Sequence, residues 1–180
     1  MAINGQTVLA VIPARGCSKR VPRKNLREYR GLSLLLWAHR AAVQSKYLDM
    51  TFCSTEDSEI WRIAKQNAVA CIQRPDELAT DDATCEDVLR HSLSLHPADW
   101  VVLLQPTSPN RTAADIDACI ERAQLGHGCI STYMGKTNGA VYVATAEWLA
   151  DHDFSHAGLM KYEMPEERSL DINEESDFAA

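Results

Sequence analysis

No stretch of this 180-residue chain approaches the ~18 consecutive apolar residues that a membrane span needs, and the first seven residues carry no basic region leading into an apolar one. No anchor or secretory signal is expected, and the cytoplasm is the default compartment. The six cysteines, Cys17, Cys53, Cys71, Cys85, Cys119 and Cys129, stand singly. That spacing excludes a CxxC zinc site, and a cytoplasmic setting gives no disulfide framework, so most are expected as small buried apolar residues. The six histidines show no HExxH spacing, and both GxGxxG and GxSxG are missing. Gly135-Lys136-Thr137 imitates the end of a Walker loop, but the preceding glycine is Gly128, too distant for the motif. Positive charge is scarce as well. A formal net charge of −7 excludes a protein that coats nucleic acid, because such binding needs a broad basic surface.

The positive charge that is present is concentrated. Seven of the 18 Lys and Arg residues (Arg15, Lys19, Arg20, Arg23, Lys24, Arg27, Arg30) fall between residues 15 and 30, opposed only by Glu28. The last stretch is the reverse: Glu163, Glu166, Glu167, Asp171, Glu174, Glu175 and Asp177 face Arg168. One end suits an anion and the other a cation.

Residues 7–12 (TVLAVI) form a short β-branched run that reads as a fully buried strand. Residues 33–45 repeat apolar side chains at helical spacing, with Ser33 as N-cap. The pattern then recurs as strand 50–54, helix 57–67, strand 69–72 and helix 84–95, followed by the strongly strand-like WVVLL at 100–104. Thr112 caps a helix to about Leu125; 129–132 and 140–143 read as strands, and 168–172 as a short strand ahead of a C-terminal turn of helix. Such alternation predicts an α/β fold, one domain over residues 1–180, with a mostly parallel sheet covered by helices on both faces.

In such a sheet the first β-to-α connection is the usual phosphate cradle. Here it is ARGCSKRVPRKN, residues 14–25, where amides of a glycine-containing turn can form an anion nest and Lys and Arg side chains supply charge. Surface loops are often basic without binding anything, but this one follows directly on a buried strand and is stiffened by Pro22.

The string IPARGCSKRVPRKNL at 12–26 resembles the signature of acylneuraminate cytidylyltransferases, which make CMP-sialic acid and related CMP-sugars. In the same order follow CSTED (53–57), RPDELATD (74–81), LLQPTSP (103–109) with Arg111, NGAVY (138–142) and PEERSLDI (165–172). The resemblance implies a Rossmann-like nucleotidyltransferase fold, CTP as donor, an acidic sugar as acceptor and Mg²⁺ or another divalent cation. Carried over, Arg15, Lys19 and Lys24 are the electrostatic catalytic candidates. Ala14, Gly16, Ser18, Asn25, Thr80, Asp81 and Thr84 would contact the nucleotide, and Gln105, Thr107 and Ser108 would line the sugar side. The metal pair would be Asp171 and Asn173.

Three departures stand out. The family usually has a second glycine where this chain has Cys17, and a positive φ there would carry a cost. Its DxD metal pair reads Asp171-Ile-Asn173, and neutral Asn is a poorer ligand for a hard dication. A few dozen residues normally found between Thr132 and Asn138 are reduced to residues 133–137, which implies an open sugar pocket and loss of the family's dimer contact. The alternatives are a nucleotide-binding remnant or regulator without transferase activity, and a nucleotidyltransferase for a different acceptor.

Overall fold

Residues 8–12 are wholly buried, and a strand with no exposed face must lie inside a sheet covered on both sides. The computed structural model, which describes residues 3–180, places it there. In chain order the elements are β1 (Val8–Pro13), β2 (Glu28–Tyr29), β3 (Leu32–Ser33), α1 (Leu34–Val43), β4 (Met50–Thr55), α2 (Ser58–Gln66), β5 (Cys71–Gln73), α3 (Cys85–Leu95), β6 (Trp100–Leu103), α4 (Ala113–Ala123), β7 (Gly128–Tyr133), β8 (Lys136–Thr145), α5 (Ala146–Asp151) and β9 (Met160–Glu163). A seven-stranded sheet runs β5-β4-β1-β6-β8-β7-β9, with β2 and β3 forming a separate ribbon. The first four of these strands are mutually parallel; β8 is antiparallel to both neighbours, and β9 returns parallel to β7.

Alternation along β1 decides which side each residue feeds. Val8, Ala10 and Ile12 enter a core with Leu35 and Ala38 of α1, Ile60 of α2 and Ile116 and Ile120 of α4. Leu9 and Val11 enter the opposite core with Leu89 of α3 and Leu149 of α5. Helices therefore cover both faces, as the alternating pattern predicts. Ser33 caps α1 through its hydroxyl, accepting from the Leu36 amide at 3.4 Å, and Thr84 and Thr112 form capping boxes with Asp87 and Asp115.

The main correction lies near the C-terminus. Residues 168–172 are not a strand: Glu166–Arg168 is a 3₁₀ turn after Pro165, and Ile172 instead packs with Tyr29 and Leu34. The last strand is β9, which sequence reasoning missed because MKYE lacks an apolar run, as suits a sheet edge. Helix α5 and the β2–β3 ribbon were likewise too short to register. Strands β7 and β8 reach further than read, with Tyr133 pairing Lys136 across a two-residue turn. Met134 and Gly135 there have φ of 50° and 74°, the primed geometry that tight hairpins favour. Met134 is exposed and bears a side chain where Asn or Gly is preferred. Met134→Asn should raise the unfolding free energy by about 1 kcal/mol in urea titrations, since it relieves left-handed strain without touching the core.

Candidate active site

The phosphate loop starts where β1 runs out. The Ala14 amide donates to Ser54 O at 2.9 Å, holding the exit against β4. Two residues on, the Gly16 N–H donates to Glu56 Oε1 at 2.7 Å. These two amides are already paired within the protein, so the expected nest does not form from Ala14 and Gly16. The requirement for glycine at 16 is one of space, because a Cβ would fall 2.3 Å from Asp57 Oδ2. Cys17 is exposed and has no positive φ, so the departure from glycine there carries no backbone strain. Within the loop that strain falls on Arg23, with φ of 55°.

Arg23 is turned away from the cleft. Its guanidinium grips Asp57 in a fork at 2.6 and 2.9 Å and also pairs with Glu59. Asp57 accepts in turn from the Glu59 and Ile60 amides as the N-cap of α2. The Arg23 hydrogen bond, more than the cap, holds the Asp57 carboxyl below its ordinary value.

The carboxyl ends of the central strands open into a cleft of about 430 Å³. Arg15, Ser18, Lys24, Asn25, Thr80, Asp81, Thr84, Gln105, Thr107, Asp171 and Asn173 all line it, together with Arg20, Arg74 and Cys85, which the sequence did not single out. Ala14, Gly16 and Lys19 do not line it. Ser108 is fully buried, its hydroxyl without a partner, and the structure does not bring it to the cleft wall. A proline-rich loop looks exposed in sequence, but hydroxyl position depends on how the loop folds back.

Asp81 crosses between the walls. Its Oδ1 pairs with Arg15 at 2.9 Å and its Oδ2 with Lys19 at 2.5 Å; these two hydrogen bonds, Lys19 first, lower its pKa. Asn25 donates to Arg15 O at 3.0 Å, bracing the loop from inside. Lys24 donates to the carbonyls of Ile172 and Asn173 at 3.1 and 3.2 Å, so it ties the loop to the C-terminal segment. Burial lowers its pKa, with Arg20 adding repulsion. Arg74, 4% exposed, donates to Ser54 Oγ and Ser54 O. Glu56 and Arg74 were missed as site residues although both lie in quoted motifs, because nothing in a string of letters reveals that they brace the loop from below.

Asp171 faces this cleft with one oxygen, Oδ1, buried and unpartnered, while Oδ2 accepts from Asn173 Nδ2 at 2.8 Å. Among the described residues no group of three His, Cys, Asp or Glu could hold a metal ion. One carboxylate with a spare oxygen suits a hard dication only when phosphate oxygens complete the shell. No helix among the described residues is long and apolar enough to cross a membrane.

An α/β sheet with a cation-rich cleft at its carboxyl edge, entered from the first loop, is the arrangement of Rossmann-like nucleotidyltransferases, and the solved structures agree. Rv0371c from Mycobacterium tuberculosis superposes with a TM-score of 0.78 at 17% identity, covering 98% of this chain and 97% of that one. Another structure of Rv0371C, in complex with manganese, gives 0.70 at 17% identity over 97% and 96% of the two chains. A CMP:2-keto-3-deoxy-manno-octonic acid synthetase complexed with CTP gives 0.64 at 19% identity, over 71% of this chain and 52% of that one. The cytidylyltransferase family model matches residues 9–153, and the chain belongs to that family. It is 27% identical over 210 residues to an N-acylneuraminate cytidylyltransferase of Escherichia coli, with 95% of this chain aligned to 50% of that protein. The chain thus spans about half the length of the curated relative.

The Arg23–Asp57 fork generates a pH-dependent prediction. A carboxyl with a depressed folded-state pKa stabilises the fold above its ordinary value of 3.8, and that contribution is lost as pH falls through the depressed one. Asp57→Ala should cost about 1–2 kcal/mol at neutral pH from cap and ion pair together, with the gap to wild type closing only below pH ~4. Chemical denaturation across that range measures it.

Proposed function

We propose that this chain transfers CMP from CTP to a hydroxyl of a sialic-acid-like or other 2-keto sugar acid, releasing pyrophosphate. The observation that carries this reading is the convergence of Arg15, Ser18, Lys24 and Asp171 on one cleft at the carboxyl end of the sheet. The family membership and the CTP-bound relative support a cytidine nucleotide as donor.

In this reading Arg15, Lys19 and Lys24 neutralise the triphosphate, with Ser18 beside them. Asn25, Thr80 and Thr84 border ribose and base, and Gln105 and Thr107 orient the acceptor. The acceptor hydroxyl oxygen attacks the α-phosphorus in line and a P–O bond forms as its proton passes to solvent; the bond from the α-phosphorus to the bridging oxygen breaks, and that oxygen leaves with pyrophosphate. Positioning and charge stabilisation do most of the work. Asp171, with Asn173 at best a neutral second ligand, would hold a divalent cation. When bound, that cation would offset charge on the phosphates.

A second reading, a different acceptor, is favoured by one feature. Gln105, Pro106, Thr107 and Asn173 bring no charge to the acceptor wall and Asp171 brings a negative one, while Lys24, the cation beside them, is already bonded to the Ile172 and Asn173 carbonyls. Pyrophosphate release from CTP and Mg²⁺ with a panel of acidic and neutral sugars separates the two. No release with any acceptor would leave a nucleotide-binding regulator. The tight β7–β8 turn also leaves no arm to reach a neighbouring subunit, so we expect the acceptor side open and the family's dimer contact absent, which light scattering can test.

Lys19 is 78% exposed and, among the described residues, bonded only to Asp81, so Lys19→Ala should leave the thermal melt unchanged. CTP affinity in calorimetry should fall about tenfold, the effect of one charge-assisted hydrogen bond. Unaltered affinity would remove Lys19 from the triphosphate site. Asn173→Asp sets a second carboxylate beside Asp171, and the Mg²⁺ concentration for half-maximal turnover should drop several-fold. No change would mean that position 173 is not a ligand.

A further inference from the structure

Four arginines gather at a second cleft that the transfer reaction does not use. It measures about 470 Å³ and lies between α1, the β2–β3 ribbon and the turn at residues 109–112. Arg30, Arg40, Arg111 and Arg168 stand in its wall, with Glu167 the one carboxylate among the lining residues. On a chain of net charge −7 this is a second concentration of positive charge, away from the phosphate loop.

Arg111 is the decisive residue. It is 3% exposed, and its Nη1 donates to Gln105 O at 3.0 Å and Ala140 O at 2.8 Å. Its Nε and Nη2 have no partner among the described residues. The carboxylate that opposes it, Asp115, is already committed: it accepts from the Thr112 amide and hydroxyl, from Tyr162 Oη and from Arg168 Nε. A buried guanidinium with donors unspent is costly unless an anion shares its surroundings. Burial accordingly draws Arg111 down to about 10.

The two exposed arginines define the ligand chemistry. Arg40 lies over the Trp37 ring at 5.3 Å and Arg30 over the Tyr29 ring at 5.0 Å. Stacking limits the freedom of each guanidinium and covers the ring beneath it. The cleft therefore offers charge and forked donors rather than a bare aromatic platform, which suits a compact oxyanion better than a nucleobase.

We propose that this cleft is a second anion site, taking inorganic phosphate, pyrophosphate or the phosphate group of a small metabolite, with Arg30, Arg40, Arg111 and Arg168 as its cationic wall. Because Arg111 also bonds Gln105 O and Ala140 O, it joins the site to the backbone beside the acceptor wall. The site does not depend on the transfer reaction, and its test reads binding alone.

The Trp37 indole N–H, which donates to Tyr29 O at 2.6 Å, is a built-in reporter for nitrogen-15 NMR on the whole chain. Titration with phosphate and with pyrophosphate, against sodium chloride at equal ionic strength, should move that signal saturably. The Lys19→Ala variant, weakened only at the other site, should respond like wild type. Arg30→Ala with Arg40→Ala should weaken the response at least tenfold, and Arg40→Gln alone, which removes the charge but keeps part of the alkyl stem and a polar end, should weaken it several-fold with an unchanged thermal melt. An indole that stays still while phosphate-loop signals shift would overturn the proposal. So would an equal response to chloride, an equal response in the arginine variants, or a dimer in light scattering that buries the cleft and dissociates with Arg40→Gln.

Discussion

Strand β1 is hydrogen-bonded along both edges, to β4 and β6, and covered on both faces by apolar cores. The rest of the molecule depends on that double commitment. A strand so enclosed cannot slip by one residue without exchanging its two apolar sets between cores of different shape. Its end is therefore sharply defined, and so is the place where Arg15 first reaches solvent. The Leu104 amide bonds Val11 O, so the loop carrying Gln105 and Thr107 leaves at the same level. Both walls of the cleft inherit their position from one buried segment.

Charge is balanced locally within that frame. The basic segment 15–30 and the acidic tail, which read in sequence as separate binding regions, meet at three of the segment's cations. Arg27 pairs with Glu175 through Nη1 and Oε2 at 2.9 Å, Arg30 donates to Ala180 O, and Lys24 reaches the carbonyls beside Asp171. The tail thereby closes one side of the cleft and delivers Asp171 to it. Exposed pairs of this kind contribute little stability individually, so their effect is chiefly on placement.

What could be read from letters was whatever rests on periodicity and on contiguous motifs. The buried run 7–12, the helical stripe after Ser33 and the cap at Thr112 state their conformation locally, and the structure matches them within a few residues. Edge strand β9 and ribbon β2–β3 did not, since alternation over two to four residues carries little signal. For the cleft, motif residues such as Arg15, Lys24, Gln105 and Asp171 converge as the strand order requires. The bracing by Glu56, Asp57 and Arg74 was not legible, because it depends on β4 lying beside β1 and β5 beside β4, a tertiary fact. Ser108 shows the opposite failure: a polar residue in a functional-looking loop turned inward.

The hairpin tip at Met134 and Gly135 has a wider consequence. Tyr133 and Lys136 are paired directly across it, so the fold holds the two strand ends side by side at that point. Lengthening a loop between fixed ends costs only about 0.6 kcal/mol per doubling of its length. The architecture is thus a socket. Under the proposed function, a longer segment in that place would leave the parallel half and its basic loop untouched, so acceptor choice would vary independently of nucleotide recognition.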